Sequence, residues 1–317
     1  MSVFRNRQSR TVNSVFSWLL RAAALLIFFA TFPAASAPQR IETANGPLQI
    51  VVEDDTDVTR HIVRELKGAF PDAIVAQAAS ITKTSPAIYL TVGPTALRAL
   101  LTRPVSGAVI ALFIPNHLYN EIVVGTPDAR RLTVTGIYAD PSPAEQLRLT
   151  AAIFKKRVTV AVFISERTAH LIPTLNAAAA QTDTDLLVER ISAADELDRA
   201  LNRASNAPVL LALPDSTIYN SQAVRHILLS TYRRNQAVVG FSESFVNAGA
   251  LASTYSTVED IIVQVREMLV EYATSSRLPN PQFPKYFRVA TNDHVARSLN
   301  LLIDDSVRQL ARKPGGK

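Results

Sequence analysis

Short unbroken apolar runs recur along the chain, each closed by a polar or turn-forming cluster. Two of them, 209–213 and 237–241, are too short for helices and lack the alternation of a half-exposed strand. Runs of this kind suit strands of a parallel sheet covered on both faces. They close in Pro214-Asp215-Ser216-Thr217 and in Ser242-Glu243-Ser244. In open α/β sheets the loops after the carboxyl ends of strands are where ligands bind.

Taken in order, the pattern predicts strands over 48–52, 73–76, 88–92, 108–114 and 134–138. Helices are predicted between them over 57–70, where Val58, Ile62, Leu66 and Ala69 share one face, and over 96–101. Asp140-Pro141-Ser142-Pro143 marks a break, after which Ser142 and Glu145 read as a capping box with Pro143 at the first helical position. The alternation then restarts. Strands are predicted over 158–164, 185–190, 209–213 and 237–241, with helices over 167–181, 193–204 (opened by Ser192 and Asp195) and 221–234. Ser256 and Glu259 make a further capping box for an amphipathic helix over 257–274. A proline-rich connection at 278–284 leads to a last strand over 286–290 and a closing helix from 293 to about 301 or 310. Strands alternating with helices at this spacing argue for βαβ units and parallel sheets.

The first 37 residues change the picture of charge and location. Arg5, Arg7 and Arg10 precede an apolar core over 22–32, and Pro33-Ala34-Ala35-Ser36-Ala37 supplies small residues for cleavage after Ser36 or Ala37. That order is a secretory signal peptide. A retained anchor is the rival reading, but Arg21 interrupts the apolar stretch that begins at Val15. The leader holds four arginines and no acid, so the formal charge of +6 falls to +2 without it. Lys155-Lys156-Arg157 and Arg233-Arg234 are short and separated, so no nucleic-acid partner is expected. With no cysteine, the chain has no disulfide, no thiolate metal site and no lipid-bearing residue.

Motif chemistry is sparse. Glu53-Asp54-Asp55 after the first strand resembles a receiver's acidic pair, but Tyr89-Leu90-Thr91-Val92-Gly93 lacks the aspartate that such phosphotransfer needs. Gly240-Phe241-Ser242-Glu243-Ser244 lacks the second glycine of a nucleophile elbow. His61, His117, His170, His226 and His294 have no metal-ligand spacing, and only His117 follows a strand end. Neither a Walker nor a dinucleotide glycine motif is present. No enzyme, cofactor or metal is therefore expected. Gly93-Pro94-Thr95 opens a helix, where free N–H groups favour an anion such as a carboxylate, and Asp215 suits an ammonium or a hydroxyl.

The segment from Thr133 to Leu301 resembles the ABC-transporter substrate-binding family of the type I periplasmic binding-protein fold, which includes binding proteins for tryptophan and other aromatic amino acids. The matching residues are Val134-Thr135-Gly136-Ile137 with Glu145-Gln146-Leu147, the LPDST run at 213–217, and Phe241-Ser242-Glu243. Asn247-Ala248-Gly249-Ala250-Leu251-Ala252 and Phe287-Arg288-Val289-Ala290-Thr291-Asn292 complete the resemblance. It implies two Rossmann-like α/β lobes with parallel sheets, joined by three crossovers and closing on a small ligand. Residues 45–139 with 253–283 would form the N-terminal lobe, 140–252 with 284–310 the C-terminal lobe, and 311–317 a disordered tail. The carried-over site places Gly93 and Thr95 at a ligand carboxylate and Asp215 at an amine. Asn116, Tyr138, Ser165, Ser242 and Glu243 line the cleft. The family's Thr-Asp is Asp215-Ser216 here, and three acids follow the first strand, which adds Ser216, Asp54 and Asp55 as contacts for a cationic or hydroxyl-rich ligand.

The expected protein is a monomeric, exported solute-binding component in the periplasm. It binds an amino acid or other small polar solute, its mature form does not span the membrane, and its partner is an inner-membrane ABC permease. A ligand-sensing protein that docks on a sensor kinase or an outer-membrane receptor is the alternative. Hinge closure is the mechanism that the resemblance implies.

Overall fold

A computed structural model describes residues 46–81, 86–126 and 132–315, so the predicted signal peptide over 1–37 lies outside the described residues, as do 316–317. The first half alternates as the apolar pattern predicts. It runs β1 (Leu48–Val51), α1 (Asp57–Ala69), β2 (Ile74–Ala76), β3 (Ala87–Val92), α2 (Gly93–Leu101), β4 (Gly107–Ile114), α3 (Asn116–Gly125) and β5 (Thr133–Tyr138). Helix α3 is not among the predicted elements, although Leu118, Tyr119, Ile122 and Val123 recur at helical spacing in NHLYNEIVVG. The strands order as β2-β1-β3-β4-β5, all parallel. Every residue of β3 is buried, as a strand covered on both faces requires.

The second half repeats the plan. After α4 (Pro143–Phe154) come β6 (Val158–Ile164), α5 (Ile172–Ala180), β7 (Thr184–Arg190) and α6 (Leu197–Arg203). Then follow β8 (Val209–Leu211), α7 (Ser221–Tyr232), β9 (Ala237–Val239), α8 (Glu243–Asn247) and β10 (Ala252–Tyr255). The chain closes with α9 (Val258–Ser275), β11 (Arg288–Thr291), α10 (Asp293–Ser298) and α11 (Asp305–Arg308). The second sheet orders as β11-β10-β9-β8-β6-β7. Read from β7 to β10 it has the topology of the first sheet, with a switch point between β6 and β8 that matches the one between β1 and β3. The expected parallel sheets form, with one antiparallel edge where β11 runs against β10. The chain enters β11 after a long return, which frees it from the handedness of a βαβ crossover.

The links between lobes are fastened by side chains that local patterns did not reveal. Gln146 on α4 donates to the Gly240 carbonyl at 2.5 Å and accepts from the Thr254 N–H at 2.9 Å, fixing β10 beside β9. After α9 the chain runs along β5. There the Thr135 hydroxyl donates to Pro279, and Gln282 exchanges backbone bonds with Gly136 and Tyr138. Phe283, on this same link, packs against the hydrophobic cores of both lobes. Helix α9 itself lies against α1, with Arg266 donating to the Ala69 carbonyl and stacking over Phe70.

Several predicted boundaries move. The Ser142–Glu145 capping box does not form: Ser142 makes no side-chain cap, and Glu145 pairs with Arg148 at 2.9 Å instead. At 192 the acceptor is Glu196, not Asp195. The box predicted at Ser256–Glu259 forms one residue later, between Thr257 and Asp260, because the Ser256 hydroxyl is committed to the Tyr286 carbonyl. The closing helix breaks into α10 and α11. The segment from 311, expected to be disordered, begins with Arg312 exchanging two backbone bonds with Phe287.

Asp260 is also the buried partner of Arg288, whose guanidinium meets it at 3.0 and 3.2 Å and ties α9 to β11. Removing one member of such a pair strands a buried charge. Arg288→Met is expected to destabilise the fold by about 3 kcal/mol in urea unfolding, and adding Asp260→Asn, which keeps the cap, to restore most of it.

Candidate functional site

The loops at the carboxyl ends of the strands converge where the two lobes meet. From the C-terminal lobe come the loops after β6 and β8. Ser165 and Thr168 both donate to one oxygen of Asp215, at 2.5 and 3.2 Å, while the Thr217 N–H donates to the other at 2.9 Å. The Asp215 carbonyl takes the N–H groups of Ile218 and Tyr219, closing the loop on itself. Burial pushes the Asp215 carboxyl up, but the donors from Ser165, Thr217 and Thr168 outweigh it and hold the group below the usual carboxylate range. A carboxylate satisfied in this way locks the two loops together.

From the N-terminal lobe, β4 ends in a bulge at Phe113, whose φ of 55° is one that few side chains adopt. The bulge turns the chain so that Pro115 starts α3, with Asn116 buried at its head. The Asn116 N–H donates to Asp140 Oδ2 at 2.7 Å. Its side-chain oxygen bonds His170 Nε2, which belongs to the other lobe. Burial depresses His117, with opposing pulls from Asp215, which raises it, and from Arg167 and His170, which lower it. Tyr138 is buried edge-on between Tyr119 (5.6 Å) and Phe283 (5.1 Å). The close packing of Tyr119 on β5 requires Gly136, where a Cβ would meet the Ala111 carbonyl at 2.9 Å and the Tyr119 ring at 3.1 Å.

Between these groups lies a small cavity lined by Asn116, His117, Asp140, Thr168, Pro214 and Phe283, among others. It has room for roughly one water. Burial pushes the Asp140 carboxyl up to about 7, and the single bond from the Asn116 N–H opposes that only in part.

Of the residues predicted from sequence, Asn116 lines this cavity, Tyr138 backs its Phe283 wall, and Ser165 and Asp215 hold its Thr168 wall. The others are placed elsewhere. Asp54 is exposed, and Asp55 is paired with Arg60 at 2.7 Å. Gly93, at a φ of 81°, opens α2, and Thr95 is exposed in its first turn. Ser216 is exposed; Ser242 caps α8 through the Phe245 N–H; and Glu243 accepts from the Tyr255 hydroxyl at 3.2 Å. Sequence reasoning passed over Asp140, Thr168, His170 and Phe283. Asp140 had a signal, since it follows β5 in the loop as Asp215 follows β8, but its neighbouring prolines marked the stretch as a break. Only folding reveals the other three.

No family model and no curated protein sequence matches the chain. Solved structures do. An ABC domain in complex with L-Trp from Streptococcus pneumonia shares 14% identity at a TM-score of 0.54, over 83% of this chain and 98% of that one. A conserved domain protein from Vibrio cholerae shares 18% at 0.54, over 84% and 98%. The ligand-free, open structure of a substrate binding protein with adhesive properties from Clostridium difficile shares 13% at 0.60, over 83% and 97%. These likenesses establish the fold as two α/β lobes with mostly parallel sheets, the type I periplasmic binding-protein architecture.

The Asp140 carboxyl titrates near 7 in the folded chain against an ordinary value of 3.8, so the folded state holds the extra proton between those limits. Its contribution to stability is therefore full at low pH, falls as pH rises through that window, and levels off above it. Asp140→Asn, which keeps an acceptor for the Asn116 N–H, is expected to remove about 2–3 kcal/mol of the stability lost between about pH 5 and 8. Urea unfolding at the two pH values measures it.

Proposed function

We propose that this chain is an exported solute-binding protein that captures a small polar ligand between its lobes and presents it to an inner-membrane ABC permease. The observation that carries the reading is the meeting of both sheets' strand ends around one cavity, with the lobes joined by a direct bond between Asn116 and His170. Ligands of open α/β sheets lie outside the carboxyl ends of strands at the switch point, and here two such ends face each other.

The cavity is far smaller than the several hundred cubic ångströms of a small-molecule site, so ligand entry requires the lobes to part. Two of the links that would flex are short: 139–142, between β5 and α4, and Ser256-Thr257, between β10 and α9. Phe283, on the third, touches both cores and is the natural pivot. Ser165 supports binding over hydrolysis, since its hydroxyl is spent on Asp215 rather than on a histidine. The fold shared with an L-Trp complex and with a substrate binding protein supports the same reading. Export rests on the leader at 1–37.

A thermal-shift screen of the mature protein against amino acids, polyamines, sugars and nucleosides is expected to give hits within one chemical class. A ligand at about 100 times its Kd adds about 2.7 kcal/mol of stability. His170→Ala removes the bond that spans the lobes and is expected to weaken the hit by up to about tenfold, the worth of one such bond in the closed state. A screen with no hit, or a ligand that binds His170→Ala as well as the parent, would count against capture by closure.

A further inference from the structure

Among the described residues, three aspartates expose less than a tenth of their surface, and the partners of two are complete. Asp215, 2% exposed, takes donors from Ser165, Thr168 and Thr217. Asp260, also 2% exposed, takes both arms of Arg288 and the Thr257 N–H. Asp140, 6% exposed, has one donor, the Asn116 N–H, on one oxygen. No ion pair reaches it among the described residues. Its second oxygen is not among the buried atoms that are sealed from solvent without a partner, and Asp140 lines the interlobe cavity. Of the three, the carboxylate with a single donor is the one that lines the cavity.

The groups packed around Asp140 offer it no positive charge. His117, on α3, shares the cavity and is depressed by burial. His170 is turned to the Asn116 side chain, and Tyr138 feels the carboxylate as a nearby negative charge. Thr168 has given its hydroxyl to Asp215. Arg167 is exposed on the loop after β6, and Leu171, Leu213, Pro214 and Phe283 supply apolar walls. A carboxylate that is desolvated, underprovided with donors and open toward a cleft is short of a cation.

We propose that Asp140, rather than Asp215, is the carboxylate that recognises the ligand, and that the ligand carries a primary ammonium group. The inference rests on the solute-binding reading and names the substrate class of that site. An ammonium entering the cavity donates to the free oxygen while the Asn116 N–H keeps the other, and the walls contributed by Pro214 and Phe283 exclude water from the pair. Because burial holds the Asp140 carboxyl near 7, part of the population is protonated at neutral pH, and binding of a cation expels that proton.

The test uses the mature full-length protein and matched probes: putrescine, agmatine, L-lysine and L-tryptophan, each beside its N-acetylated form, with a sugar and nucleoside panel as the neutral arm. Binding is expected for one or more free amines, with at least a 100-fold loss on acetylating the amine that binds. Calorimetry at pH 7 in two buffers of different ionisation enthalpy is expected to show net release of protons on binding, as a carboxyl raised by burial ionises beside the cation. Asp140→Asn keeps the acceptor for Asn116 and is expected to weaken binding at least 30-fold and to abolish the proton release. Hits confined to the neutral arm overturn the ammonium assignment while leaving solute binding intact. An amine that binds Asp140→Asn with undiminished affinity and proton release overturns the role of Asp140. Absence of any hit takes down the solute-binding reading and this inference together. If Asp140→Asn fails to fold, the comparison of each free amine with its N-acetylated form on the parent protein decides, and equal binding of the two forms overturns the proposal.

Discussion

A buried amide at the head of a helix must find partners, and Asn116 finds them in three separate parts of the chain. Its N–H goes to Asp140 in the first link between lobes, and its side-chain oxygen goes to His170 in the other lobe and to Asn120 one turn along α3. The rest of the cleft depends on this arrangement. The bulge at Phe113 delivers Asn116 to its place, and the stack of Tyr119, Tyr138 and Phe283 holds the floor beneath it. Unpaired polar groups are costly when buried, so the contact between lobes is specified by hydrogen bonds and not by apolar area alone.

The two lobes repeat one topology, yet their strand-end loops serve different ends. In the C-terminal lobe the loops after β6 and β8 turn inward and are tied together through Asp215. In the N-terminal lobe the matching loops after β1 and β3 leave Asp54 and Thr95 in solvent, with Asp55 paired to Arg60. One lobe thus presents loops bonded to each other, and the other presents loops open to solvent. The links are held by groups at some distance from the cavity, namely Gln146 against β10 and Arg288 against Asp260.

Much of the fold was legible in the order of residues. Runs such as Ile88-Tyr89-Leu90 and Val160-Ala161-Val162 are strands because only a sheet covered on both faces buries every side chain in sequence. Pro143 opened a helix, as its fixed φ allows. Caps were less legible. Ser142 and Ser256 have the spacing of capping residues, but the first makes no cap, and the second gives its hydroxyl to a carbonyl 30 residues away, which leaves the cap to Thr257. Helix α3 was missed although its apolar positions recur at helical spacing, and its first polar positions, Asn116 and His117, line the cavity.

The sequence by itself determined the alternation of strands and helices and which loops stand at strand ends, because periodicity and burial are local consequences of backbone geometry. It also singled out Asn116, Tyr138, Ser165 and Asp215 as residues at those ends. Only the tertiary structure decided which residues spend their polar groups on one another and which are left with few partners. Asp140 and Asp215 look alike in sequence, each a carboxylate just after an apolar strand. Their difference arises from donors that the chain brings to one and not to the other, and those donors come from segments far apart in sequence that meet only when the fold is complete.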